Sequence, residues 1–241
     1  MEVSLKENLG WFDDVTQGGI GNCYLVATMS TIAIYPSLIE KLFLTKEMNK
    51  AGIYFIQYYI RGKPWVITVD DQILFNDEKT KPEHLEYNPK HPALWGALLE
   101  KAWSKLDANF LNSEAGFTFQ TMRAMLGCPV AYYFIDSMSL GSTDLWKVIK
   151  SQMILYKYIF IASTTIDGKE TDDTTLNHCG MTNTHAYPIL DVFPLYNQFN
   201  VFKVDALMYM MRDPRGSNAI TEPNTRWHAR DYARWTEHYK K

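Results

Sequence analysis

The chain has 241 residues, 46% of them hydrophobic and 14% aromatic, with 24 basic side chains against 27 acidic ones and a net charge of −3. That length suffices for one large domain or two small lobes around a sizeable, aromatic-rich core, and the charge balance argues against nucleic acid or an acidic membrane surface as a partner. No apolar run approaches the roughly 20 residues that a membrane helix needs, and Met1–Glu7 lacks a signal peptide's apolar core, so a cytoplasmic protein without a membrane span is expected.

Met1 to Thr16 is a lead-in whose Trp11 and Phe12 suit an anchor on the core, with Asp13-Asp14 just ahead of a glycine-rich loop. The stretch Gln17-Gly18-Gly19-Ile20-Gly21-Asn22-Cys23-Tyr24-Leu25 then places a cysteine where that loop meets an apolar helix. From Tyr24 to Ile34 nearly every residue is apolar or small, the pattern of a helix buried on all sides. Asn22 is a suitable N-cap and Pro36 closes the run. An amphipathic segment, Ser37 to Leu44, follows.

The period then changes. Gly52 to Ile60 is rich in Tyr, Ile and Phe, breaks at Arg61-Gly62-Lys63-Pro64 and resumes from Trp65 to Val69, which predicts a β-hairpin ended by Asp70-Asp71. The next twenty residues read as a surface loop. Pro92 to Asp107 predicts a helix with Pro92 at N1; Trp95, Leu98, Leu99, Ala102, Trp103 and Leu106 form its apolar face, and Glu100, Lys101 and Lys105 its wet side. A second helix is expected over Ala115 to Leu126, stopped by Gly127-Cys128-Pro129, with a strand-like run from Val130 to Ile135.

Ser137 to Ser142 is the best linker, so a lobe boundary is placed there, with residues 1–139 on one side and 140–241 on the other. Beyond it come a helix over Thr143 to Leu155, a strand over Tyr158 to Thr164 and an acidic turn over Asp167 to Thr174. Thr184 to Phe193 and Asn200 to Met211 pair as antiparallel strands, separated by Pro194 and a polar tip near Asn197. The last thirty residues, with Arg226-Trp227 and Arg234-Trp235, suit a terminal helix or an extended arm.

The chemistry is concentrated at Cys23. A thiol in the first turn of a helix faces unpaired backbone N–H groups and the positive end of the macrodipole, both of which favour thiolate. The glycines allow close approach of a substrate, and the Gln17 amide can donate to a developing oxyanion. Cys23 as a small buried hydrophobe is the bland alternative. His185 opens one of the paired strands and Asp213 follows the other, so pairing brings both to one sheet edge, a geometry that suits a base and its orienter. A cysteine on a central helix, facing a histidine and a third polar group from a sheet lobe, is the papain-type arrangement for attack on an amide carbonyl. His84, His91, His178, His228 and His238 are the other histidines; a zinc site from His178, Cys179 and His185 lacks a fourth ligand at any usual spacing. Three cysteines without framework spacing suit a reducing compartment.

These residues resemble the catalytic core of the calpain cysteine proteases. Gln17 to Leu25 is similar to the family's glutamine, glycine loop and Gly-Asp-Cys-Trp-Leu, with Asn22 and Tyr24 substituted. Val69-Asp70-Asp71, Leu94 to Ala102, His185-Ala186-Tyr187 and Arg212-Asp213-Pro214-Arg215-Gly216 resemble its Val-Asp-Asp, Trp-Ser-Ala-Leu-Leu-Glu-Lys-Ala, His-Ala-Tyr and Arg-Asn-Pro-Trp-Gly motifs. The resemblance covers roughly residues 14 to 216. It implies an α+β fold, a two-lobed papain-like core with a helical Cys lobe, an antiparallel-sheet His lobe and a substrate cleft between them. It also implies Cys23 as nucleophile, His185 as base, Gln17 as oxyanion donor and Asp213 as third member of the triad, where the family has asparagine. The activity implied is intracellular endopeptidase cleavage of protein or peptide substrates.

Departures from the pattern are specific. Arg215 replaces a tryptophan near the family's cleft. Calpain cores bind calcium in each lobe; Asp14 matches one ligand position, but Ala93 and Ala219 stand at others, so no cofactor is expected and little effect of calcium. The C-terminal modules of many calpains are lacking, which suits a fragment or a subunit of a larger assembly. The alternative to an active enzyme is therefore a calpain-like scaffold that no longer cleaves. Transglutaminase-type acyl transfer, which also uses Cys, His and Asp, fits the Leu94 to Ala102 helix less well.

Overall fold

The computed structural model describes residues 15–75, 77, 82, 84–87, 93–133, 135, 141–164, 182–197 and 200–211. Its centre is helix α1 (Cys23–Ile32), all ten residues of which are buried. Two threonine hydroxyls on this dry helix bond back along it: Thr28 and Thr31 donate to the Tyr24 and Ala27 carbonyls at 2.8 and 2.7 Å. Around α1 packs one apolar cluster that includes Ile39, Tyr54, Ile56, Tyr58, Trp95 and Leu98. Helix α2 (Pro36–Leu42) begins at Pro36, whose fixed φ suits a first helical position, so this proline opens α2 while α1 ends four residues earlier.

Strands β2 (Ile53–Ile60) and β3 (Lys63–Asp70) form the expected hairpin, in register from Ile53 opposite Asp70 to Ile60 opposite Lys63. The turn is tighter than predicted: Arg61 and Gly62 alone make it, both at positive φ, and Pro64 lies within β3. A proline is tolerated there because the two-stranded sheet leaves β3 an unpaired edge. Tyr54, Ile56, Tyr58, Ile67 and Val69 turn inward. The lead-in and the expected surface loop instead supply strands β1 (Val15–Thr16) and β4 (Glu86–Tyr87), which pair antiparallel.

Helix α3 (Trp95–Leu106) starts at Trp95 with Leu94 as N-cap, so Pro92, which lies outside the described residues, is not its first residue. Its apolar face is as predicted, but Glu100 is buried and not part of the wet side. A short 3₁₀ turn, Leu111–Ser113, leads to α4 (Thr118–Leu126). That helix begins three residues later than expected because Ala115 has φ +53° and gives its N–H to the Gly21 carbonyl at 2.9 Å. Gly127 closes α4 in the left-handed conformation, as a helix-stopping glycine should. Among the described residues of 130–135 there is no strand.

Helix α5 (Ser142–Tyr156) and strands β5 (Phe160–Ser163), β6 (Ala186–Asn197) and β7 (Asn200–Met211) are the remaining elements among the described residues, the strands forming an antiparallel sheet in that order. Pro194 does not separate two strands; β6 runs through it to Asn197, with irregular register near Asp191 and at the far tip. The acidic turn over 167–174 and the last thirty residues lie outside the described residues. Helices and antiparallel strands thus make an α+β fold in which β5 and β6 lie against α1.

Candidate active site

Cys23 is the first residue of α1 and is 3% exposed. It packs with Ala27 against Ala186, with Ile161 of β5 beside them. Ala186 opens β6, so His185 sits one residue from the Cys23 contact. His185 is 2% exposed and edge-on to Tyr187 at 5.0 Å. Its N–H donates to Thr164 Oγ1 at 3.1 Å and its carbonyl accepts from the Thr164 N–H at 2.9 Å, which ties it to the end of β5. Thr184, immediately before it, has φ +49°, a strained value for a β-branched residue.

Gln17 is buried and donates through Nε2 to the Ile20 carbonyl at 2.8 Å, folding the glycine loop onto itself. Asn22 occupies the N-cap position, and its carbonyl accepts from the Leu25 and Val26 N–H groups at 2.9 and 3.2 Å. Its side chain does not cap the helix. It donates instead to Glu100 Oε1 at 2.7 Å, and the Leu85 N–H donates to Oε2 of the same carboxylate at 3.0 Å. Burial pushes the Glu100 carboxyl up from 4.5 to about 7, against the two hydrogen bonds, which pull it down.

Tyr24, the second residue of α1, is anchored through its hydroxyl. Its hydroxyl donates to the Ser113 carbonyl at 2.8 Å and accepts from Trp103 Nε1 at 3.0 Å, and burial pushes the phenol up to about 12. Gly116 lies on this ring so closely that a Cβ would sit 2.6 Å from it, which explains the glycine. The Gly21 and Tyr24 contacts together dock residues 113–116 beside the glycine-rich loop.

Two further motifs serve the scaffold. Asp70 pairs with Lys101, whose hydrogen bond holds that carboxyl below the usual range, and Lys101 also donates to the Gln72 carbonyl at 2.7 Å. A groove of about 550 Å³ between β3 and α3, lined by Thr68, Asp70, Lys101, Lys105 and Phe110, is separate from the Cys23 neighbourhood. Asp213, Arg212 and Arg215 lie outside the described residues. Met211, the end of β7, pairs with Ile189, so β7 finishes alongside the start of β6.

Among the described residues no three His, Cys, Asp or Glu side chains converge, and Ala93 is buried. Asp14, Ala219, His178 and Cys179 lie outside the described residues. Sequence reasoning missed the burial of Glu100, whose neighbour Lys101 gives it the local context of a wet helix face.

In this α+β fold a cysteine heads a buried helix that packs against the strand following a histidine. The model of the calpain family cysteine protease matches residues 7–241, and the chain belongs to that family. It is 26% identical over 208 residues to Calpain clp-4 of Caenorhabditis elegans, covering 85% of this chain and 27% of that protein. Over 185 residues it is 28% identical to the Calpain-type cysteine protease DEK1 of Zea mays, covering 74% of this chain and 8% of that protein. Calpain-8 of Homo sapiens is 23% identical over 232 residues, covering 95% of this chain and 32% of that protein. The chain thus spans a third or less of the length of these relatives. No single helix among the described residues is long and apolar enough to cross a membrane.

Proposed function

We propose that this calpain-family domain is an active intracellular cysteine endopeptidase, with a Cys lobe over residues 1–139 and a His lobe over 140–241. The observation that carries the reading is the packing of Cys23, at the N-terminus of α1, against Ala186, the residue after His185. In this reading Cys23 thiolate attacks the substrate carbonyl, forming a C–S bond as the carbonyl π electrons move onto oxygen. The Cys23 N–H and the Gln17 amide, which carries a second hydrogen besides the one given to Ile20, stabilise that oxyanion. His185 passes its proton to the leaving amine as the C–N bond breaks, then takes one from the water that hydrolyses the thioester. Asp213 orients the imidazole. Calcium takes no part in these steps.

A second reading, a calpain-like scaffold that no longer cleaves, is favoured by the burial of both Cys23 and His185 and by the Gln17 amide being turned toward Ile20. Incubation with a peptidyl epoxide directed at cysteine proteases, followed by mass mapping, tests the choice. Covalent capture at Cys23, together with cleavage of a fluorogenic peptide, supports the enzyme; a purified folded chain that shows neither is the scaffold.

A further inference from the structure

Among the described residues, Glu100 is a carboxyl side chain that the mechanism leaves unused and the fold nevertheless buries, at 2% exposure. Its two oxygens are divided between two chain segments: Oε1 takes the Asn22 amide at 2.7 Å and Oε2 takes the Leu85 N–H at 3.0 Å. Asn22 is also the residue whose carbonyl starts the hydrogen-bond ladder of α1, through Leu25 and Val26. A carboxylate on α3 therefore holds the residue that both precedes Cys23 and sets where α1 begins.

We propose that Glu100 is a positioning residue for the nucleophile, its buried carboxylate clamping Asn22 and Leu85 so that the Cys23 end of α1 stays in one place. The proposal rests on the endopeptidase reading for its consequence in catalysis, but the clamp itself does not depend on that reading. As a carboxylate, Glu100 accepts both hydrogen bonds; once protonated, one oxygen becomes a donor facing a donor, and one link slackens. Burial places that change near neutral pH. The titratable groups facing it are the buried Tyr24 and Tyr58 hydroxyls, both held protonated by burial. Lys101 and Lys105, on the same helix, are turned to Asp70 and to the Thr68 carbonyl. His84, beside Leu85, is stacked on Phe110 at 4.0 Å.

The test uses Glu100→Gln, Asn22→Ala and the reversed pair Asn22→Asp with Glu100→Gln, in which the amide introduced on α3 donates to the carboxylate introduced before Cys23 and accepts from Leu85. Amide exchange at Leu25 and Val26 reads the clamp, and the rate of peptidyl-epoxide capture from pH 5.5 to 8.5 (a range about the roughly neutral titration) reads the nucleophile. Each single variant is expected to speed exchange and slow capture on the order of tenfold, the equivalent of one lost buried hydrogen bond. The reversed pair should recover most of both. Capture by the unmodified chain should also fall as Glu100 is protonated, an inflection absent from Glu100→Gln. Unchanged exchange at Leu25 and Val26 in Asn22→Ala overturns the clamp even if Glu100→Gln does not fold. A reversed pair no better than the single variants overturns it as well. If no form is captured at any pH while exchange behaves as expected, the endopeptidase reading fails and the clamp stands.

Discussion

Replacing Glu100 by glutamine should change how stability depends on pH, because the native state holds this carboxyl protonated over a range in which the unfolded chain ionises it. The shift from 4.5 to about 7 is caused first by burial. At roughly 1.36 kcal/mol per pH unit, it corresponds to about 3 kcal/mol. The sign follows from the direction: a carboxyl raised in the folded state contributes fully below about pH 4.5, and the contribution is lost as pH rises through about 7. Glu100→Gln has no such group. At low pH the protonated Glu100 and the glutamine each turn a donor toward one of the two N–H groups, so the two forms should be about equally stable there. By pH 8, above the roughly neutral titration, the unmodified chain should have lost about 3 kcal/mol relative to Glu100→Gln. Urea unfolding of both forms at intervals from pH 5 to pH 8, spanning the titration, measures it. Parallel stability curves would refute the reasoning and mean that Glu100 titrates as an exposed glutamate does.

Tyr24→Phe leaves the Ser113 carbonyl and the Trp103 N–H without their bonds to the hydroxyl, so thermal or urea unfolding should show a loss of about 1–3 kcal/mol. Thr184→Gly removes a β-branched side chain from φ +49°, so stability should hold or rise by about 1 kcal/mol by urea unfolding; a clear loss would contradict the left-handed conformation. If the endopeptidase reading holds, Asp213 stabilises the His185 imidazolium by charge, and the alkaline limb of the rate profile should lie at higher pH than in Asp213→Asn. Identical profiles would remove Asp213 from the triad. Calorimetric titration with calcium should show no tight site; two resolved sites would mean that other carboxylates or carbonyls supply the ligands.

Patterns that depend on near neighbours were legible in the chain itself. An apolar run without a polar stripe can only be a helix buried all round, and that is α1. Alternation of aromatic and β-branched residues across Arg61-Gly62 set the β2–β3 hairpin and which face of it turns inward. The same logic placed Cys23 at a helix start and His185 at the start of a strand, one residue short of where β6 begins, and the ordered motifs named the family.

Tertiary structure decided what distant partners control. Glu100 has the sequence context of a wet helix face, and only the Asn22 amide and the Leu85 N–H, brought in from elsewhere in the chain, make its burial tolerable. Ala115 would extend α4 by propensity, yet its N–H is taken by Gly21 across the core. β1 and β4 are too short to show a period and exist because packing brings them together. Pro194 reads as a breaker but lies within β6, where pairing along β7 carries the strand past it. In each case the local code was weak, by about 1 kcal/mol or less per residue for the helix and strand preferences, and a single long-range hydrogen bond or burial was enough to override it.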